Sequence, residues 1–130
     1  MTEYKSTICV DFDGVIHSYT SGWQGASRIT DPPVPGAFKF LHDCLSAFDE
    51  VYIFSTRCRG TRGRAAIKNW IKNNSAMLWY SDISGRGLEC LEYSNTKVAA
   101  LVYVDDRGFR FEGEFPSANY LRSLMPWWKK

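Results

Sequence analysis

The sequence lacks the signals of a metal–thiolate, disulfide-stapled or membrane protein. Its four cysteines, Cys9, Cys44, Cys58 and Cys90, form no Cys-x-x-Cys pair, and neither histidine lies near them at metal-ligand spacing. Cys9 and Cys44 sit in apolar patterns and read as buried thiols. No apolar run approaches membrane-spanning length, and no secretory leader is recognisable, so a reduced, cytoplasmic protein without a membrane partner is expected. A formal net charge of +2 is too small to demand nucleic acid or a membrane surface. There is no internal repeat, low-complexity tract or domain boundary, and 130 residues suffice for a single domain with a real core.

What is present begins with Ser6-Thr7-Ile8-Cys9-Val10-Asp11-Phe12-Asp13-Gly14. A short apolar run ending at a glycine reads as a strand buried on both faces, as in a parallel sheet. Side chains two apart share a side, so Asp11 and Asp13 are expected to line one cavity at the strand's carboxyl end, where open α/β sheets bind ligands. Unpaired aspartates in an apolar stretch are costly to bury, which points to a cation or to chemistry. Residues 17–35 are rich in Ser, Gly and Pro and read as a long loop. Tyr19, Trp23 and Ile29 give it packing groups suited to a flap over the site, with His17 as an exposed loop residue near Asp13.

A helix is expected after Pro35, with Ala37, Leu41, Cys44, Leu45 and Phe48 on one face. Val51–Phe54 reads as a second buried strand, ending in Ser55-Thr56-Arg57; taken alone, this hydroxyl pair suits a cap at a strand–helix junction. The next helix carries Ala66, Ile67, Trp70 and Ile71 inward and Arg64, Lys68 and Lys72 outward, and no acid lies between Arg57 and Lys72. Its start falls at the sheet's carboxyl edge, so Arg57, Arg59 and Arg62 are expected around the mouth, drawing in an anion. Leu88–Tyr93 is expected as an edge strand after a loop over residues 81–87. Val98–Val104 then reads as a third buried strand ending in Asp105-Asp106. Ser117 is a candidate cap for a last helix with Ala118, Leu121 and Met125 inward, and Trp127-Trp128 packs onto the domain.

The three strands deliver Asp11 and Asp13, Ser55 and Thr56, then Asp105 and Asp106 to one edge. Four carboxylates with few other ligands suit a hard divalent ion, Mg2+ rather than Zn2+. With the hydroxyls and Lys97 they supply the kit for phosphoryl transfer: a carboxylate nucleophile, a second carboxyl as acid and base, and a cradle for phosphate oxygens.

On these motifs the chain resembles the haloacid dehalogenase (HAD) superfamily of phosphohydrolases over roughly residues 6 to 112. The matching positions are Asp11-Phe12-Asp13-Gly14, Ser55 after Val51–Phe54, Lys97, and Asp105-Asp106 after Leu101–Val104. The loop after the first motif and the Asp-Asp-Arg segment are similar to those of small, capless HAD-like proteins of phages and bacteria. The resemblance implies a three-layer, Rossmann-like, mostly parallel α/β sheet with helices on both faces and a minimal cap. It implies a Mg2+-dependent phosphatase working through an aspartyl-phosphate. Asp11 would be the nucleophile and Asp13 the general acid/base. Ser55, with Thr56 as its alternate, would bind the phosphate, and Lys97 would steady both. Asp11, the Asp13 carbonyl and Asp105 would hold Mg2+, assisted by Asp106. Arg57 and Arg59 would meet the substrate, a phosphorylated small molecule, nucleotide or nucleic-acid end.

Three rivals use similar residues. A receiver-type signalling domain places its acidic pair on the first strand, whereas here the pair comes last. A Mg2+-dependent nuclease has no use for Asp11 as a nucleophile. A non-catalytic binding module on the same fold does not need every motif position filled by a competent residue.

Overall fold

A computed structural model describes residues 5–81 and 85–129; positions 82–84 of the loop expected over residues 81–87 lie outside the described residues. Strand β1 (Thr7–Asp11) is followed by helix α1 (Ala37–Ala47), strand β2 (Glu50–Phe54) and helix α2 (Thr61–Asn74). Strand β3 (Glu92–Ser94), strand β4 (Val102–Val104) and helix α3 (Ala118–Ser123) complete the order. All strand pairs are parallel, in the order β3-β2-β1-β4. The protein is therefore α/β with a four-stranded parallel sheet, and every strand's carboxyl end lies on one edge.

The pattern of β1 explains its central place. Ile8 and Val10 register with Val51 and Ile53 of β2, and all four are buried in one cluster with Leu41, Leu45, Ile67 and Ile71 of the helices. Each such side chain contributes about 1.5–3 kcal/mol by leaving water. The helix faces are those the spacing predicts: α1 buries Ala37, Leu41, Cys44 and Leu45, and α2 buries Ile67 and Ile71. Gly63 lets α2 close on the turn before it, because a Cβ there would strike the Arg57 carbonyl.

Both long helices pack against the turns at Ala76–Trp79 and Leu88–Cys90, so they share one face of the sheet. The expected placement of helices on both faces is not seen for this pair. Two successive right-handed crossovers in one direction put α1 and α2 on the same side. The return from β3 to β4 uses only residues 95–101, too few for a crossover helix. This segment runs along the other face, where the Val98 backbone lies near the Cys9 thiol and the Tyr103 hydroxyl donates to the Val98 carbonyl at 2.6 Å.

The third buried strand is also corrected. Only Val102–Val104 is strand, and it is the edge beside β1, with Leu101 75% exposed and Val102 and Tyr103 also exposed. An apolar run reads the same whether its second neighbour is present or absent. Beyond it, Ser117 does cap α3, accepting the Tyr120 N–H at 3.1 Å, but α3 buries no residue, and Leu121 and Met125 stay exposed rather than facing the core. No described helix is long and apolar enough to cross a membrane.

Candidate active site

At the carboxyl ends of β1 and β2 a cleft of about 230 Å3 is lined by Asp11, Asp13, Tyr19, Trp23, Ser55, Thr56, Asp106, Arg107 and Trp128, among others. Asp11 closes β1 and accepts the Phe12 N–H at 3.0 Å. Burial, first, and then the hydrogen bond and charge of Asp106 push its carboxyl up to about 8; the Phe12 N–H opposes them. Asp11 and Asp106 thus face each other closely enough to share a proton.

The resemblance gave Asp105 the leading metal role, with Asp106 assisting. The carboxylate against Asp11 is instead that of Asp106. Asp105 turns back on its own loop, accepting the backbone N–H groups of Arg107 and Gly108. Lys97 does not reach Asp11 here. Its ammonium lies 3.9 Å from Asp105 and over the Tyr103 ring, more than half exposed and in a neighbouring cleft.

Asp13 lies past the end of β1 and is gripped rather than free. Arg57 Nε donates to Asp13 Oδ2 at 2.9 Å and Nη2 to Oδ1 at 3.1 Å. His17 Nδ1 lies 2.8 Å from Oδ1, and His17 Nε2 accepts the Asp31 N–H at 3.1 Å, which leaves the ring proton on Nδ1, donating to Asp13. His17 is therefore buried, not the exposed loop residue expected. Arg57 is corrected likewise: its side chain is fully buried, and its Nη1 donates to the carbonyls of Gly25, Ala26 and Arg28. It pins the 17–35 loop to the strand ends. A guanidinium with donors on several sides can serve a carboxylate and three carbonyls at once. Arg59 and Arg62 stay exposed in the adjoining groove, as the sequence led one to expect.

Ser55 does what its position predicts for a cap, accepting the Arg57 N–H at 3.1 Å, while its hydroxyl proton remains available. Thr56 beside it is exposed in the cleft.

The C-terminal tryptophans pack against the cleft. Trp127 Nε1 donates to the Gly14 carbonyl at 2.6 Å, and Trp128 Nε1 donates to Asp106 Oδ2. The Trp128 ring meets Tyr19 edge-on at 4.8 Å and lies under the Arg107 guanidinium at 5.5 Å. Gly14, at φ +87°, admits this approach; a Cβ there would collide with Asp106 and Trp128. The signal for this was the tryptophan pair itself, of which Trp127 remains about half exposed.

Whether the residues fit a divalent cation turns on Asp106. Among the described residues its buried Oδ1 has no partner other than the Asp11 carboxyl, whose proton is held up to about 8. A hard cation would take the place of that proton. Among the described residues no three His, Cys, Asp or Glu side chains cluster at ligand spacing. Mg2+ does not require such a cage, since it is commonly held by one or two carboxylates and keeps several waters. Asp11 and Asp106 fit that pattern. No family model, curated protein or solved structure matches the chain.

Proposed function

We propose that this protein is a Mg2+-dependent phosphatase of HAD type that hydrolyses a phosphomonoester through an aspartyl-phosphate on Asp11. The observation that carries this reading is the facing pair Asp11–Asp106 in a cleft lined also by Ser55 and Thr56.

Asp11 and Asp106 would hold the ion, which when bound supplies charge to polarise a phosphoryl oxygen and to expel the proton shared by the two carboxyls. An Asp11 carboxylate oxygen bonds phosphorus as the ester P–O bond breaks, and Asp13 passes a proton to the leaving oxygen. Water then bonds phosphorus and gives its proton to Asp13, and the aspartyl P–O bond breaks. Ser55 and Thr56 donate to the phosphate oxygens. Because three donors converge on Asp13, its part as acid requires one Arg57 contact to be exchanged for a proton during turnover. His17 and Arg57 are positioning residues in this scheme.

Asp11→Asn should abolish hydrolysis of an aryl phosphate in the presence of Mg2+, and beryllium fluoride should form an adduct on wild-type Asp11. A fully active Asp11→Asn protein would remove the covalent mechanism. A nuclease using the same carboxylates would cleave phosphodiesters and form no such adduct.

A further inference from the structure

Trp23 is an exposed tryptophan with a buried cation against its ring. The buried Arg57 guanidinium lies 4.7 Å from its ring centroid, yet the residue is 54% exposed. One face of the indole is fixed by a cation that is itself anchored through Asp13 and three carbonyls, and the rest of the ring is open. A flat apolar surface presented in this way loses little freedom when something stacks on it.

Its place gives the feature meaning. Trp23 and Thr56 belong to two clefts at once: the one containing Asp11, and a groove of about 470 Å3 lined also by Arg59, Gly60 and Arg62. The two therefore adjoin at Trp23 and Thr56. A track leads from the carboxylates, past Thr56 and across Trp23, to two exposed guanidinium groups. Neither Arg59 nor Arg62 makes an ion pair among the described residues, and α2 beyond them has three basic residues, Arg64, Lys68 and Lys72, and no acid. Uncompensated cations beside an open aromatic face match a ligand that alternates anions with flat rings. A small phosphorylated metabolite would use only the first cleft. A phosphopeptide would bring one phosphate and no need for the basic rim.

We propose that the substrate is the phosphorylated end of a single-stranded nucleic acid. Its terminal phosphate would sit at Asp11, the adjoining base on Trp23 and the following phosphates against Arg59 and Arg62. The placement of the terminal phosphate rests on the phosphatase reading above; the binding track does not.

The test is fluorescence polarisation with the Asp11→Asn protein, Mg2+ and a labelled, end-phosphorylated oligothymidylate of about eight nucleotides. The oligonucleotide should bind at least about tenfold tighter than thymidine monophosphate. Trp23→Ala should weaken it about tenfold or more, and Trp23→Phe should recover most of the loss. Replacing Arg59 and Arg62 by Ala should reduce the slope of log K against log salt by about 1.4, as expected for two lost single-strand phosphate contacts. Equal affinity for oligonucleotide and mononucleotide, tighter binding of a phosphopeptide, or indifference to Trp23→Ala would overturn the inference. Wild-type protein separates the two readings. Aryl-phosphate hydrolysis without oligonucleotide binding leaves the phosphatase and removes the track. Oligonucleotide binding without phosphate release from any substrate does the reverse.

Discussion

Arg57 and Asp13 are 44 positions apart, and their two-point contact joins the end of β1 to the turn after β2. The same guanidinium holds the 17–35 loop through three carbonyls. Removing it would leave a half-buried carboxylate with only His17 and would free those carbonyls. Arg57→Met should therefore cost about 3–5 kcal/mol in urea unfolding, and Arg57→Lys, which keeps the charge but loses the fork, should recover only part. Asp11 makes a different prediction. Its carboxyl is raised, so between the ordinary carboxylate range and about 8 the folded protein holds a proton that the unfolded chain has released. Metal-free stability should accordingly fall as pH rises through that window, by up to about 1.4 kcal/mol per pH unit. Denaturant unfolding at a series of pH values checks this. The slope should flatten in Asp11→Asn.

Among the elements, β1 and β4 carry similar apolar sequences with opposite fates. Val10 and Ile53 are fully buried between neighbours, whereas Val102 lies on the open edge of the sheet. Ile53→Ala should cost about 2–5 kcal/mol, and Val102→Thr no more than about 0.5 kcal/mol. Comparable losses at both positions would mean that β4 is covered. This contrast marks the limit of what the residues disclose by themselves. The turn after β1, the inward faces of α1 and α2 and the cap at Ser117 follow from spacings within a few residues, and each was legible. The exposure of Val102 depends on whether another strand or helix lies beside it, which its own pattern does not contain. The Asp106–Trp128 and Arg57–Asp13 contacts join side chains far apart in the chain, so the residue types were legible but not their pairing. Asp105 and Asp106 were indistinguishable as neighbours in the sequence. The turn that points one at Asp11 and folds the other onto its own backbone separates them. The tryptophan pair also makes a prediction for its segment. Trp128 occupies Asp106 Oδ2, so it competes with any cation that needs that oxygen. Deleting residues 127–130 should tighten Mg2+ binding in calorimetry, and unchanged affinity would show that the indole and the ion do not compete.

At the scale of the whole molecule, charge and polarity are sorted by place. Carboxylates gather where β1 and β4 end, basic groups line the groove beside α2, and the helices cover one face of the sheet. In the proposed function a phosphoryl group would occupy this cleft and Asp11 would take it up. The most direct test traps that group. Protein mixed with an aryl phosphate and Mg2+ is quenched in acid, reduced with borohydride and digested, and the peptide masses are read. An aspartyl-phosphate is reduced to homoserine, and the account predicts that conversion at position 11 alone. Conversion at position 105 or 106, or phosphate release with no converted residue, would contradict it.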